Sequence, residues 1–243
     1  MFPRLNIVLK MTLFSACVTL FSCVIYLSYV FGVGSYGTLD EEDDFGYISS
    51  THARELIDRL VKEIPERVSH QSGPTYDIPL NPFDISGKVQ VAHAVVRDLN
   101  KIKITDFSYN EDTKVLQAVA HFEKIALSMA VQNDLEWNGK KNKDLTAMRL
   151  DLYNCNLKVT GHFNGAEVWD TFAEADLGSS KVYIMKIFRN ASLSQEISDY
   201  LRRNLPRMIS ANRNLVSTVL TQWTEKGVNS LLKKMDRNKR EKQ

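Results

Sequence analysis

The residues with most chemical reach in this 243-residue chain are five histidines, His52, His70, His93, His121 and His162, and the cysteine Cys155. No pair of them has the i, i+4 or C-x-x-C spacing that would aim two ligands at one zinc ion. His93, His121 and His162 fall on expected strands and could converge on a metal; surface or satisfied core histidines are the simpler reading. Cys155 lies between Asn154 and Asn156 with His162 downstream. A reactive thiol needs a neighbouring positive charge or a helix N-terminus, and a strand supplies neither, so Cys155 reads as a packing residue. The chain has no G-x-S-x-G, no glycine-rich phosphate loop and no H-E-x-x-H. No catalytic set, metal site or cofactor is expected, and the chain does not read as an enzyme.

The elements around these residues begin with a break in composition. Residues 1–37 contain Arg4 and Lys10 and no acid; the uncharged run from Met11 to Phe31 is followed by Asp40, Glu41, Glu42, Asp43 and Asp44. Basic residues before an apolar run and acidic ones after it mark an export signal, with the N-terminus cytosolic and the rest of the chain lumenal or extracellular. The run is long enough for a membrane anchor, while Gly32, Gly34, Ser35 and Gly37 offer cleavage positions, so residues 1–37 are expected to be a signal peptide or a signal anchor. Residues 38–47 form an acidic spacer.

The body after the leader carries 29 basic and 29 acidic residues. That balance lacks the cationic surplus a nucleic-acid binder needs. With 44% hydrophobic and 25% charged residues, the chain is neither disordered nor a coiled coil. Cys17 and Cys23 sit in the leader, leaving Cys155 without an intramolecular disulfide partner. Export makes the sequon Asn190-Ala191-Ser192 a candidate glycosylation site.

An amphipathic helix is expected over about residues 49–64, with Leu56, Ile57, Leu60, Val61 and Ile64 in one stripe. From Asp84 to Phe188 the apolar period becomes two. Leu116, Ala118, Ala120 and Phe122 are even, then Ile125, Leu127, Met129 and Val131 odd, a slip at Glu123-Lys124 that reads as a β-bulge. A second slip separates Met148, Leu150 and Leu152 from Cys155, Leu157 and Val159. Val168–Leu177 and Lys181–Phe188 flank Gly178-Ser179-Ser180 and read as a hairpin. A long helix, broken or kinked at Pro206, is expected from Leu193 to Met235. The basic tail, residues 236–243, reads as a solvated end. The fold class is α+β, a single domain over 48–235 in which a long curved antiparallel sheet wraps around a long C-terminal helix, with an amphipathic helix at its start.

The order of elements, the entry Ile78-Pro79-Leu80-Asn81-Pro82, the strand FDISGKVQVAHAVVRDLNKIKITDFSYN (residues 83–110) and its return Val96-Arg97-Asp98-Leu99-Asn100-Lys101-Ile102 carry a likeness. The chain resembles the tubular lipid-binding superfamily, in particular the insect takeout and haemolymph juvenile-hormone-binding proteins and the lipid-binding-like mite allergens. Takeout-like proteins usually carry a cysteine pair near the mature N-terminus. This body has none, which moves the likeness toward the disulfide-free, mite-allergen type.

The resemblance implies an elongated apolar tunnel between sheet and helix holding a lipid, terpenoid or similar hydrophobic ligand. The residues expected to line it are Leu56, Leu60, Val89, Val91, Phe107, Phe122, Leu127, Met129, Met148, Ile184, Met208, Val216, Val219 and Trp223; each is equally at home as plain core. Burying about 350 Å² of ligand at roughly 25 cal/mol/Å² gives on the order of 9 kcal/mol before association entropy is subtracted, so no special residue is required. The expected function is that of a secreted carrier for a hydrophobic small molecule or lipid, monomeric, with no nucleic-acid partner. The alternative is a single-pass anchored or secreted recognition protein of the same fold, whose partner is a membrane or another protein.

Overall fold

The computed structural model describes residues 48–71, 73 and 75–240. The expected leader and the acidic spacer both lie outside the described residues. Helix α1 spans Ser50–Glu63, capped by Ser49, whose hydroxyl accepts from the His52 N–H. Seven strands follow: β1 (Arg67–Gln71), β2 (Thr75–Leu80), β3 (Ile85–Arg97), β4 (Lys103–Asn110), β5 (Val115–Trp137), β6 (Lys140–Phe163) and β7 (Val168–Ile184). Helices α2 (Ala191–Ala211) and α3 (Arg213–Arg240) close the chain.

All pairings in the sheet are antiparallel, in the order β1-β3-β5-β6-β7, with β2 also on β3 and β4 also on β5. The 23-residue β5 and 24-residue β6 turn on Asn138-Gly139, both at positive φ, as a two-residue hairpin turn requires. Strands of this length cannot stay flat, because twist accumulates along them. Their bend is concentrated on one line. Inward positions on β5 are even through Phe122 and odd from Ile125; on β6 they are even through Leu152 and odd from Cys155, and the pairs Phe122↔Cys155 and Lys124↔Tyr153 preserve one register across the slip. Both strands therefore flip faces together at Glu123 and Asn154.

On β7 the same flip falls at Gly178, between the pairs Cys155↔Leu177 and Tyr153↔Ser179. The expected hairpin at Gly178-Ser179-Ser180 is thus not a turn: β7 runs through it as one strand. Glycine is needed there because a Cβ would lie 2.9 Å from that of Asn154, itself at φ 52°. The crease continues to the far side of β5, where the short 3₁₀ turn Leu99–Lys101 joins β3 to β4.

Two other features differ from the sequence expectation. β1 and β2 are strands, and β2 holds Pro79 because it pairs only with β3, as a strand edge permits. Pro206 lies inside α2, and the break comes at Asn212. A proline at 206 removes the donor to the Arg202 carbonyl, and the Ser180 hydroxyl of β7 donates to that oxygen at 3.4 Å. The helix is held through its proline from outside.

α2 and α3 pack on β7. The larger core joins β1, β3, β5, β6 and β7 to Leu193, Ile197, Leu201, Leu205 and Ile209 of α2 and Val216 and Leu220 of α3. The smaller joins Ala53 and Leu60 of α1 to Tyr109, Leu116, Phe163, Val168 and Leu232. α1 thus seals one end of a curled sheet whose other side is closed by the two C-terminal helices.

Candidate functional site

The inner face of the sheet differs on the two sides of the crease. Next to the crease on the Asn138-Gly139 side it is tight: Ile125, Leu127, Leu150, Leu152 and Val182 are all at most 5% exposed. Toward α1 the cross-strand rows are Phe122–Cys155–Leu177, Ala120–Leu157–Ala175 and Ala118–Val159–Ala173. Phe122, Leu157, Leu177, Ala175, Ala118 and Val159 are here only partly buried although they face inward. Ala118, Ala120, Gly161, Ala173 and Ala175 leave little side-chain volume on this floor. α3 runs along the β7 side of it, and Val219 and Trp223 of that helix are partly exposed. The result is an apolar inner surface that the chain's own side chains do not fully cover.

The edge of β7 that borders this space is closed by helix side chains four residues apart. On α3, Ser217 donates to the Ala173 carbonyl (2.6 Å), and Thr221 accepts from the Ala173 N–H (2.9 Å). Glu225 accepts from the Thr171 N–H (3.4 Å), and Asn229 both accepts from and donates to Val168 (2.7 and 2.9 Å). On α2, Ser198 accepts from Ile184 and Ser194 from Ile187, at 3.1 and 2.8 Å. A free strand edge is an invitation to another strand, and here the helices answer its donors and acceptors. In sequence these positions look like an ordinary polar face; only the four-residue spacing of Ser, Thr, Glu and Asn signals them.

The expected lining residues divide. Leu127, Met129, Val91 and Val216 belong to the tight part of the larger core, and Leu60 is buried in the smaller one. Val89, Met148, Ile184 and Met208 are partly buried against the larger core, Leu56 and Phe107 against the smaller. Phe122 belongs to the incompletely covered floor, and Val219 and Trp223 are partly exposed on α3. The sequence missed the alanines and Gly161 of that floor, because small residues on a strand carry no ligand signal.

Cys155 is 4% exposed, and burial pushes its thiol up to about 12, so it is a protonated packing group. His121 Nδ1 is 2.8 Å from Asn156 Oδ1, and His162 stacks on Trp169 at 5.5 Å. Among the described residues no three His, Cys, Asp or Glu side chains are grouped to hold a metal. Asn190 is the N-cap of α2, accepting from the Leu193 N–H at 3.0 Å. Among the described residues no helix is long and apolar enough to cross a membrane.

A second concavity, about 510 Å³, lies over the rows Thr75–Gln90–Gln132–Leu145 and Lys88–Asp134–Lys143. It is open to solvent and lined mostly by polar and charged residues, and Lys143 and Asp134 neutralise each other at 3.0 Å. It lacks the apolar enclosure a hydrophobic ligand needs.

No protein-family model and no curated protein matches the sequence. Among solved structures, the chain is similar to Takeout 1 of Epiphyas postvittana, at 12% identity and a TM-score of 0.49, covering 67% of this chain and 78% of that one. It is also similar to lipopolysaccharide binding protein, at 10% identity and a TM-score of 0.33, covering 74% of this chain and 38% of that one. Likenesses at this level concern the fold alone, and what the site can hold has to be argued from its own geometry.

Proposed function

We propose that this chain is an exported carrier that holds a hydrophobic small molecule or lipid between the inner face of β5–β7 and α3. The observation that carries the reading is the incomplete burial of Phe122, Leu157, Val159, Ala175 and Leu177, inward-facing apolar residues beside the closely packed Ile125, Leu127, Leu150, Leu152 and Val182. Apolar surface left uncovered on the inside of a fold is surface whose hydration an apolar guest relieves. Exposure to a guest needs no catalytic group, and the protonated Cys155 offers none. The charge pattern around Met11 to Phe31 supports entry into the secretory pathway, and Asn190 supports glycosylation there.

Native mass spectrometry and organic extraction of the protein recovered from its own cells test the carrier directly. A co-purifying apolar compound is expected. A protein that carries none, and that binds neither fatty acid, terpenoid nor phospholipid probes, would refute it. Sequencing the mature N-terminus separates a secreted carrier from an anchored one.

The recognition alternative is favoured by one feature, the exposure of Leu145 (63%), Tyr183 (52%) and Met185 (61%) on the outer face near one end of the sheet. Met185 lies beside Ala147, to whose carbonyl its N–H donates. Such a patch suits contact with a membrane or a protein. Flotation of the full chain with carbonate-washed membranes would support this reading, and a protein free in the supernatant counts against it.

A further inference from the structure

The outer face of the sheet gathers cations at the crease. Arg67 of β1, Arg97 of β3, Ala126 of β5, Asp151 of β6 and Lys181 of β7 stand in one cross-strand row. Their chain neighbours Val68, Val96, Ile125, Leu152 and Val182 belong to the inner core, so the row faces out. Arg67, Arg97 and Lys181 are exposed. At the centre of the row, Arg149 donates to Asp151 through two nitrogens, each at 3.1 Å, and Lys124 reaches the same carboxylate at 3.4 Å. Lys124 and Lys181 also stand over the Tyr153 ring, at 5.8 and 5.5 Å. Five cations thus surround one carboxylate, and that carboxylate is buried. The acids at the borders of the patch are engaged elsewhere: Asp98 is bonded to Lys101, on which Glu66 also acts, and Glu123 is bonded to Lys103.

Exposed apolar residues adjoin these cations on the same face. Tyr183 pairs with Arg149 in the β6–β7 ladder, and Met185, followed by the exposed Lys186, lies beside Ala147. Leu145 is two residues further along β6. Beyond it the face becomes charge-mixed, with Asp134 held by Lys143.

A partner for this surface has to suit both kinds of residue. A soluble polyanion would engage the cations and leave Leu145, Tyr183 and Met185 in water. An apolar protein face would bury the cations without a counter-charge. An anionic lipid surface offers phosphates to the cations and an interface in which apolar and aromatic side chains settle. We infer that this outer face, from Arg67 across to Lys181 and on to Met185, docks the protein on a membrane rich in anionic lipid. The inference rests on the patch described for the recognition reading, names its partner, and is independent of what the inner floor holds.

The test is co-sedimentation with vesicles of phosphatidylcholine alone and of phosphatidylcholine with about 30% phosphatidylserine, at about 0.1 M salt. Protein with its native N-terminus is used; a retained leader adds binding to both vesicles alike, so the difference between them reads the patch. Wild type is expected to prefer the anionic vesicles by about a hundredfold or more, and to lose most of that preference at about 0.5 M salt. The triple variant Arg67→Gln, Arg97→Gln, Lys181→Gln leaves both partners of Asp151 in place and should forfeit most of the preference, roughly fivefold per cation. Arg97→Gln and Lys181→Gln alone, each expected to lose about fivefold, decide the point if the triple variant melts below wild type. Leu145→Ser with Met185→Ser should weaken anionic-vesicle binding by about tenfold and leave retention on heparin unchanged. Equal binding of wild type to the two vesicles, or a preference that the charge variants keep, overturns the docking surface and leaves the carrier reading standing. Anionic-vesicle binding undiminished in the double serine variant means that charge alone is read, as by a soluble polyanion, and overturns the lipid assignment.

Discussion

Asn154 and Gly178 face each other across β6 and β7 so closely that a Cβ on residue 178 would lie 2.9 Å from the Asn154 Cβ and 3.2 Å from the Tyr153 carbonyl. The contact marks the line on which the sheet folds, and on which its inner face passes from tight core to open floor. Asn154 takes a positive φ at the same point, a conformation that asparagine tolerates better than most residues.

Gly178→Ala should therefore destabilise the protein although residue 178 is exposed to solvent. The added methyl has to displace backbone and not a flexible side-chain end, a distortion expected to cost about 1–3 kcal/mol. Urea denaturation measures it. An unchanged midpoint would mean that the crease does not depend on the glycine.

Asn229 stands in for a missing strand at Val168, making one bond to its N–H and one to its carbonyl. Asn229→Ala leaves both groups without these partners at a half-covered edge, and about 1–3 kcal/mol of stability is expected to go. Asn229→Asp keeps the acceptor and loses the donor, so an intermediate loss is expected. Amide exchange at Val168 should accelerate in the alanine variant while exchange at Ala173, held by Thr221, changes less.

Ser180 and Pro206 are coupled through the Arg202 carbonyl, which the first supplies with a donor and the second deprives of one. Ser180→Ala in the wild-type background removes that donor. In a Pro206→Ala background the residue 206 N–H can return to the same oxygen, and the serine becomes dispensable. A double-mutant cycle on thermal stability should give a coupling of about 0.5–1 kcal/mol. Strict additivity would show that the 3.4 Å contact carries no weight.

How much of this was legible in the residues follows from what a pattern can record. The apolar alternation of β5 and β6 changes phase at Glu123 and after Leu152 because inward residues must stay apolar on both sides of a bend, and so the crease is written in the sequence. Its third member, Gly178, has the composition of a turn, since close approach and tight turning both ask for glycine. The bulge near Ala92 moves the inward set of β3 from Val91 to Ala94, but Val95 is apolar as well and hides the slip. Serine, threonine and asparagine on α2 and α3 look like a solvated face, although they bind β7. Thr171 is the extreme case: threonine is ordinary in a strand, and only the sheet's curvature makes its hydroxyl a buried group without a partner among the described residues.

Cys155 gives the chain an alkaline limit. Its thiol ionises near 9 when exposed and is pushed up to about 12 in the fold by burial. Below pH 9 both the folded and unfolded thiols are protonated and stability does not depend on this group. Between pH 9 and 12 the unfolded chain releases a proton that the folded chain keeps, so the unfolded state is favoured as pH rises. The loss approaches about 1.4 kcal/mol per pH unit, a slope set by one proton, and it ends near the folded value. Cys155→Ala removes the titrating group at the expense of a small cavity beside Phe122 and Leu177. Its unfolding free energy should start lower at pH 8 and then decline less steeply than that of wild type from pH 9 upward. Denaturant titrations at pH 8, 9, 10 and 11 decide the point, lysine and tyrosine ionisation being common to both proteins. Parallel pH curves would mean that the thiol is hydrated in the folded state, contrary to its burial. The same burial predicts that a thiol reagent applied at pH 8 modifies native protein only as fast as the fold opens, and immediately once denaturant is added.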